Sequence, residues 1–157
     1  MAGVFLTTPA LHIHLLWRDS PLSKSLADSL AGEVWVSPLS HAILSDAYLQ
    51  PGPFTDALRR RGRLAVQRHQ RRMESSGIAT YPLPNREALR IWADIRSLQV
   101  DIPAYGDGIA SYPPQTLGPD ELLVFATAAA FSLPLLGPAP DDPETIEYLK
   151  ETGIVFR

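Results

Sequence analysis

The chain has 157 residues, of which 45% are apolar and 20% are charged, a composition that is ordinary for a globular protein with one substantial core. It contains no cysteine, which excludes disulfide bonds, thiolate metal sites and a cysteine nucleophile. The N-terminus carries no basic leader, and no apolar run approaches the roughly 18 to 20 residues of a membrane span. We therefore expect one cytoplasmic domain over residues 1–157, without a membrane partner.

The predicted elements alternate between helices and short apolar runs. A capping side chain precedes proline at residues 8–9, 20–21, 37–38 and 142–143, which predicts helix starts there. The predicted helices cover about residues 9–17, 21–31, 38–49, 54–74, 85–98, 119–132 and 143–151. The predicted strands cover residues 3–6, 34–36, 78–81, 134–136 and 154–156. This order predicts an α/β fold whose mainly parallel sheet is covered on both faces. Residues 100–118, rich in proline and glycine, are predicted to form a long ordered loop.

The charge of the chain is unevenly distributed, although the net value is only −3. Half of the 14 basic residues lie in one stretch without an acid: Arg59, Arg60, Arg61, Arg63, Arg68, Arg71 and Arg72. On a helix these guanidinium groups could bind the phosphates of RNA, or dock an acidic protein partner. The remaining interpretation is a solvated helix whose buried side consists of Leu58, Leu64 and Met73.

Three segments carry a resemblance to a known family. Residues 4–11 (VFLTTPAL), 121–128 (ELLVFATA) and 133–136 (LPLL) resemble the first strand and the penultimate helix–strand unit of PIN domains, the fold of VapC-type toxin ribonucleases. The resemblance implies a three-layer α/β/α fold with a short, mainly parallel central sheet of about five strands. In that family acidic residues converge on Mg²⁺ or Mn²⁺ beside the carboxyl ends of the strands, and the ion activates water for RNA cleavage.

Most of the family's acids are replaced in this chain. The first Asp of the family corresponds to Thr7, the second acid to Ile43 and the last to Ala139. Only the third acid has a counterpart, Glu121, which follows Asp120. The resemblance therefore implies a degenerate site in which metal-dependent nuclease activity is lost and no cofactor is expected.

A displaced acidic site is the alternative. Asp46 lies three residues after Ile43, nearly one helical turn along the same face. With Asp120, Glu121 and Asp142 (or the preceding residue, Asp141) it could form a catalytic Mg²⁺ or Mn²⁺ site. In the other interpretation Asp46 is solvated, and the acids at 141 and 142 cap the last helix.

The leading functional hypothesis is a noncatalytic PIN-like protein of toxin–antitoxin ancestry that binds RNA or an antitoxin-like protein. The resemblance also implies a homodimer. The alternative is a metal-dependent endoribonuclease toxin centred on Glu121, and a third class is a regulatory subunit without affinity for nucleic acid.

Overall fold

The computed structural model describes residues 3–28, 33–76 and 79–157. Within these ranges the chain forms seven helices and seven short strands. The helices are α1 (Thr8–Leu16), α2 (Pro21–Ala27), α3 (Pro38–Leu49), α4 (Asp56–Ser76), α5 (Arg86–Ile95), α6 (Pro119–Ala130) and α7 (Pro143–Glu151). The strands are β1 (Val4–Leu6), β2 (Val34–Trp35), β3 (Val100–Ile102), β4 (Tyr105–Asp107), β5 (Ala110–Tyr112), β6 (Gln115–Leu117) and β7 (Leu135–Leu136).

The central sheet is short and parallel, with the strand order β2-β1-β7. Phe5 in the middle strand pairs with Trp35 on one side and with Leu135 on the other. Near the C-terminus, Phe156 adds a parallel bridge to Leu135 at the outer edge of the sheet. The expected mainly parallel sheet, with the first strand at its centre, is confirmed.

Successive side chains of β1 point to opposite faces of the sheet, and both faces are buried. Phe5 packs into an apolar core that includes residues of α5, α6 and α7. Val4 and Leu6 belong to a second core formed with α1, α3 and α4. Two helical layers therefore enclose the sheet, which explains why β1 is apolar at every position.

Two predicted segments extend beyond what the structure shows. The carbonyl of Thr80 accepts a hydrogen bond from the Val36 amide at 2.9 Å, but residues 79–81 form a turn and a bend, not a strand. The predicted position 78 lies outside the described residues. The predicted second helix ends at Ala27 in the structure, and its positions 29–31 also lie outside the described residues.

The prediction that residues 100–118 form a long loop is wrong. This segment forms two antiparallel pairs, β3 with β6 and β4 with β5. Gly108, with a positive φ angle of 59°, lies in the tight β4–β5 connection and marks a hairpin turn, whereas Gly106, with a φ angle of 118°, lies within β4 opposite Ser111. Buried Tyr112 in β5 packs its ring edge-on against His12 of α1, with ring centroids 5.1 Å apart.

Helix α4 packs against α3 through a stripe of three buried residues, Gly62, Val66 and His69. A Cβ atom on Gly62 would lie 2.6 Å from the buried ring of Tyr48, so the two helices approach closely at this point. The predicted buried side was partly wrong, because Leu64 is 51% exposed. Leu64 follows Gly62 by two positions and therefore points to another side of the helix. None of the helices in the described ranges combines the length and apolar character that a bilayer span requires.

Candidate functional site

The carboxyl group of Glu121 is buried at the junction of two helices. Glu121 lies in the first turn of α6 and is only 5% exposed. Its Oε2 accepts a hydrogen bond from the backbone amide of Thr8 at 3.0 Å. Its Oε1 accepts a second one from the hydroxyl of Thr8 at 2.8 Å. One side chain of α6 is thus anchored to the beginning of α1.

The position of this carboxyl group follows from the chemistry of a helix N-terminus. Thr8 is the first residue of α1, where backbone amides have no acceptor within the helix. The carboxyl of Glu121 supplies that acceptor, and a negative charge here is also favoured by the helix dipole. Glu121 therefore links the first turn of α6 to the first turn of α1.

Ser40 in α3 extends the hydrogen-bonded group. Its Oγ lies 3.0 Å from Oγ1 of Thr8, and both residues are buried. A hydroxyl has one proton, so when Thr8 donates to ionised Glu121, Ser40 must donate to Thr8. We call these three residues the Thr8–Ser40–Glu121 network. It connects α1, α3 and α6 at the end of the central strand.

Burial shifts the ionisation of the network into the neutral range. Desolvation raises the pKa of Glu121 to about 7, opposed by the two hydrogen bonds from Thr8, while the charge of Asp120 raises it further. Near pH 7 the carboxyl group is therefore present in both forms. In the protonated form Oε1 would donate to Thr8, because Oε2 still faces the Thr8 amide, and Thr8 would then donate to Ser40.

The other positions that the resemblance assigns to the family's acids offer few ligands. Buried Thr7 caps α1 by accepting a hydrogen bond from the Ala10 amide at 3.3 Å. Gly137 approaches it so closely that a Cβ atom there would lie 1.8 Å from Oγ1 of Thr7. Ile43 is half-buried and packs against the core that contains α5 and α6. Ala139, also half-buried, has no polar side-chain atom.

The acids of the displaced-site hypothesis lie at the surface. Asp46, Asp120, Asp141 and Asp142 are all exposed. Asp142 caps α7 by accepting a hydrogen bond from the Thr145 amide at 3.3 Å, and a second bond, from the Thr145 hydroxyl at 2.6 Å, lowers the pKa of Asp142. Among the described residues, no three His, Asp or Glu side chains come together as a metal-binding group. The donor set therefore does not fit a hard divalent ion, which requires several oxygen ligands.

The arginines of α4 do not form a single surface, because they point in three directions. Arg59 and Arg63 form one group, in which Arg59 forms an ion pair with Asp56 and Arg63 donates to the carbonyl of Tyr48 at 3.1 Å. Arg60 and Arg71 are exposed and lie on the side of α4 opposite its buried stripe.

The third group of arginines faces a cavity between α1, α2 and α4. Arg61, Arg68 and Arg72 line it from α4, and Arg18 lines it just after the end of α1. This cavity lies toward the C-terminal end of α1, whereas Glu121 binds the N-terminal end. The two sites are therefore distinct.

The sequence interpretation missed Thr8 and Ser40 as partners of Glu121. Thr8 stands at the Thr of the family's Asp-Thr-Asn motif, and this was the only signal for it in the sequence. In the sequence, Ser40 has no feature that distinguishes it from any polar residue in the first turn of a helix. The proximity of both to Glu121 depends on how α3 and α6 pack, which periodicity does not specify.

No family model and no curated protein sequence matches the chain. Solved structures do match. A chain from the structure of FitAB bound to an IR36 DNA fragment is 12% identical, with a TM-score of 0.55 over 98% of this chain and 93% of that chain. A chain of FitAcB from Neisseria gonorrhoeae is 17% identical, with a TM-score of 0.53 over 98% of this chain and 96% of that chain. The fold is PIN-like. At such low identities the similarity establishes the fold, and it assigns no role to any residue.

Proposed function

We propose that this chain is a PIN-like protein of the toxin–antitoxin type that binds a partner and has lost metal-dependent nuclease activity. The observation that carries this proposal is the Thr8–Ser40–Glu121 network. The one carboxyl group retained from the family's set accepts hydrogen bonds at both oxygens. It stabilises the junction of two helices and is only partly ionised at neutral pH.

The energetics of cation binding support this proposal. A divalent ion at Glu121 would have to replace the hydrogen bonds from Thr8 and would find no second carboxylate at Thr7 or Ile43. Loss of the surrounding negative charges removes most of the attraction for such an ion. The hydroxyl of Thr7 is engaged as a helix cap and is a weak substitute.

A ribonuclease assay tests the catalytic half of the proposal. Purified protein and the Glu121→Gln variant are incubated with a mixed-sequence RNA and Mn²⁺ at pH 8, where Glu121 is mostly ionised. We expect both proteins to leave the RNA intact. Cleavage by the unchanged protein that disappears in Glu121→Gln would contradict the proposal and support the endoribonuclease with a displaced acidic site.

We propose an acidic, antitoxin-like protein as the partner. The similarity to FitAB and FitAcB, which are toxin–antitoxin proteins, supports a protein partner. The scatter of the arginines over three sides of α4 is unfavourable for a single strand of RNA, which is tracked by a continuous basic groove. Arg60 and Arg71, exposed on the outer side of α4, suit an acidic helix or an extended segment.

Co-expression with the neighbouring reading frame and co-purification would identify this partner. We expect Arg60→Ala with Arg71→Ala to weaken the complex, since these two arginines have no ion pair within the described residues. Arg59→Ala with Arg63→Ala changes the charge equally but removes contacts within the protein, so it serves as the comparison for fold stability. Tight, salt-sensitive binding of RNA without a protein partner would favour the RNA alternative.

We also propose that the chain forms a homodimer, as the resemblance to VapC-type proteins implies. Leu83, which precedes α5, and Leu89, in its first half, are 73% and 48% exposed and offer apolar surface for such a contact. Sedimentation equilibrium should give twice the mass of one chain. A monomer at all concentrations would contradict this part of the proposal.

A further inference from the structure

A cavity of about 430 Å³ lies between α1, α2 and α4. Arg18, Arg61, Arg68 and Arg72 line it, and we call it the arginine pocket. Its volume falls within the range of small-molecule sites. The Thr8–Ser40–Glu121 network lies at the other end of α1 and does not explain this pocket.

The periodicity of α4 brings three of these arginines together. Arg61, Arg68 and Arg72 are spaced by seven and four residues, so a helix places them on one side. Arg61 donates to the carbonyl of Leu16 at 2.9 Å, which fixes this side of α4 against the end of α1. Arg18 follows that end directly and joins the group from the opposite wall.

The positive charge of the pocket has no acidic counterpart among the lining residues that the structure describes. The two ion pairs found in the described residues involve Arg59 and Arg90, which lie outside the pocket. Like charges that converge without a counter-charge raise the local potential and favour the binding of an anion.

His14 and His69 also line the pocket. His69 is held by a hydrogen bond of 2.9 Å between its Nδ1 and Nε2 of His41, whose Nδ1 lies 2.6 Å from the hydroxyl of Tyr81. Burial lowers the pKa of His69 to about 3, and the charges of Arg72 and Arg18 act in the same direction. His69 is therefore a neutral, fixed ring at neutral pH, and the charge of the pocket comes from its arginines.

Apolar side chains from all three helices also line the pocket and form its apolar surface. They are Leu15, Leu16, Ala27, Leu64 and Ala65, and Leu64 is 51% exposed. A large exposed leucine beside several guanidinium groups suits a ligand with an anionic end and a flat or apolar end. Guanidinium groups bind phosphate oxygens through paired, charge-assisted hydrogen bonds.

We propose that the arginine pocket binds a phosphate-bearing small molecule of nucleotide size. The phosphates contact the guanidinium groups of Arg18, Arg68 and Arg72, and the remainder of the ligand lies against Leu15 and Leu64. This site is independent of the proposed loss of nuclease activity, because it shares no residue with the Thr8–Ser40–Glu121 network.

Calorimetric titration at constant ionic strength tests this assignment with four probes: inorganic pyrophosphate, adenosine diphosphate, adenosine and citrate. We expect saturable binding of pyrophosphate and of adenosine diphosphate, the latter more tightly because it also reaches the apolar surface. Adenosine and citrate should bind much more weakly. Citrate binding as tightly as pyrophosphate would overturn the assignment to phosphate, and so would adenosine binding as tightly as its diphosphate.

Two double variants of equal net charge distinguish binding in the arginine pocket from general electrostatic attraction of the phosphates to α4. Arg68→Ala with Arg72→Ala should weaken binding of the diphosphate by about tenfold or more. Arg60→Ala with Arg71→Ala removes the same charge from the outer side of α4 and should leave binding unchanged. All four arginines are exposed, so neither pair of changes disturbs the core. Equal losses in both variants, or no binding of either phosphate probe, would overturn the proposal.

The Glu121→Gln variant separates this proposal from the preceding one. It should bind the diphosphate as the unchanged protein does. Metal-dependent cleavage of RNA would refute the proposed function and leave the pocket intact, whereas absence of phosphate binding would refute the pocket alone.

Discussion

At the scale of single residues, Glu121 is a carboxyl group held by the amide and the hydroxyl of Thr8. Its pKa of about 7 follows from burial without a compensating positive charge. The same burial disfavours the ionised form that a metal ion would bind, and it places the change in charge of Glu121 near neutral pH.

The Glu121→Gln variant should change how stability depends on pH. Because the folded-state pKa of Glu121 lies above its ordinary value of 4.5, ionisation of this group destabilises the folded protein as the pH rises from about 4.5 to 7. Glutamine keeps the shape and does not ionise. Relative to the unchanged protein, the variant should gain about 2 to 3 kcal/mol of unfolding free energy between pH 4.5 and 8. Urea unfolding at both pH values measures this gain, and a constant difference would contradict the raised pKa.

Restoring two of the family's acids should restore a metal site. Asp at position 7 keeps the cap of α1, since Asp is among the best N-cap residues, and Glu at position 43 adds a second carboxylate. We expect Thr7→Asp with Ile43→Glu to bind Mn²⁺ with a dissociation constant in the millimolar range or below, which calorimetry measures. Addition of Glu121→Gln to that protein should abolish the binding. If the double variant binds no metal, positions 7, 43 and 121 do not correspond to the family's acids.

At the scale of secondary structure, the contact between α3 and α4 depends on a residue without a side chain. Gly62 allows the ring of Tyr48 to lie against the backbone of α4, and the hydroxyl of Tyr48 in turn lies 2.5 Å from Nδ1 of buried His12. One glycine therefore determines how closely α4 approaches α3 and α1.

Gly62→Ala should destabilise the protein, although alanine favours helices. The added methyl group would collide with the Tyr48 ring, and overpacking of this kind costs about 1 to 3 kcal/mol, against at most about 1 kcal/mol gained from helix propensity. Urea unfolding measures the net loss. Gly52→Ala is the control, because a Cβ atom there meets no atom within 4 Å. A more stable Gly62→Ala variant would show that the ring does not contact α4.

The sequence predicted elements well where periodicity and caps agree, and poorly where tertiary pairing decides. Ser37 before Pro38 predicted α3 with the bounds that the structure shows. The glycines at 106 and 108 were interpreted as loop residues, because strands of three residues are too short to give an alternating pattern. Leu64 was assigned to the buried side of α4 by its apolar character alone, whereas its position in the helix turns it toward the arginine pocket.

The site was predictable only in part, for a similar reason. The absence of acids at positions 7 and 43, where the resemblance leads one to expect them, is visible in the sequence. Glu121 and Thr8, which are hydrogen-bonded, are 113 positions apart in the chain, and Arg18 and Arg68, which line the same pocket, are 50 positions apart. Both contacts depend on how the helices pack, which the sequence pattern does not specify.

At the scale of the whole molecule, buried neutral histidines make the fold sensitive to acid. Burial lowers the pKa of His12 to about 4, that of His41 to about 4 and that of His69 to about 3. Nδ1 of His12 lies beside the Tyr48 hydroxyl, and its Nε2 faces the backbone of Ser111 without a hydrogen bond of good geometry. Protonation of these rings must therefore open the core.

Stability should consequently fall as the pH decreases from about 6.5 toward 4. In this range the unfolded chain binds protons at these histidines and the folded chain does not, so each buried ring adds a slope of up to about 1.4 kcal/mol per pH unit. Glu121 acts in the opposite direction but is a single group against three. Thermal unfolding at pH 7 and pH 5 measures the balance. An equal melting temperature at both values would show that the rings are accessible to protons in the folded state.

The central claim is that a PIN-like fold has kept one carboxyl group for structure and lost its metal site. Calorimetric titration of Mn²⁺ at pH 8 into the protein and into Glu121→Gln tests this claim most directly, because Glu121 is then mostly ionised. We predict no saturable heat in either protein. Binding in the micromolar to low-millimolar range that disappears in Glu121→Gln would contradict the claim and place a working metal centre at Glu121.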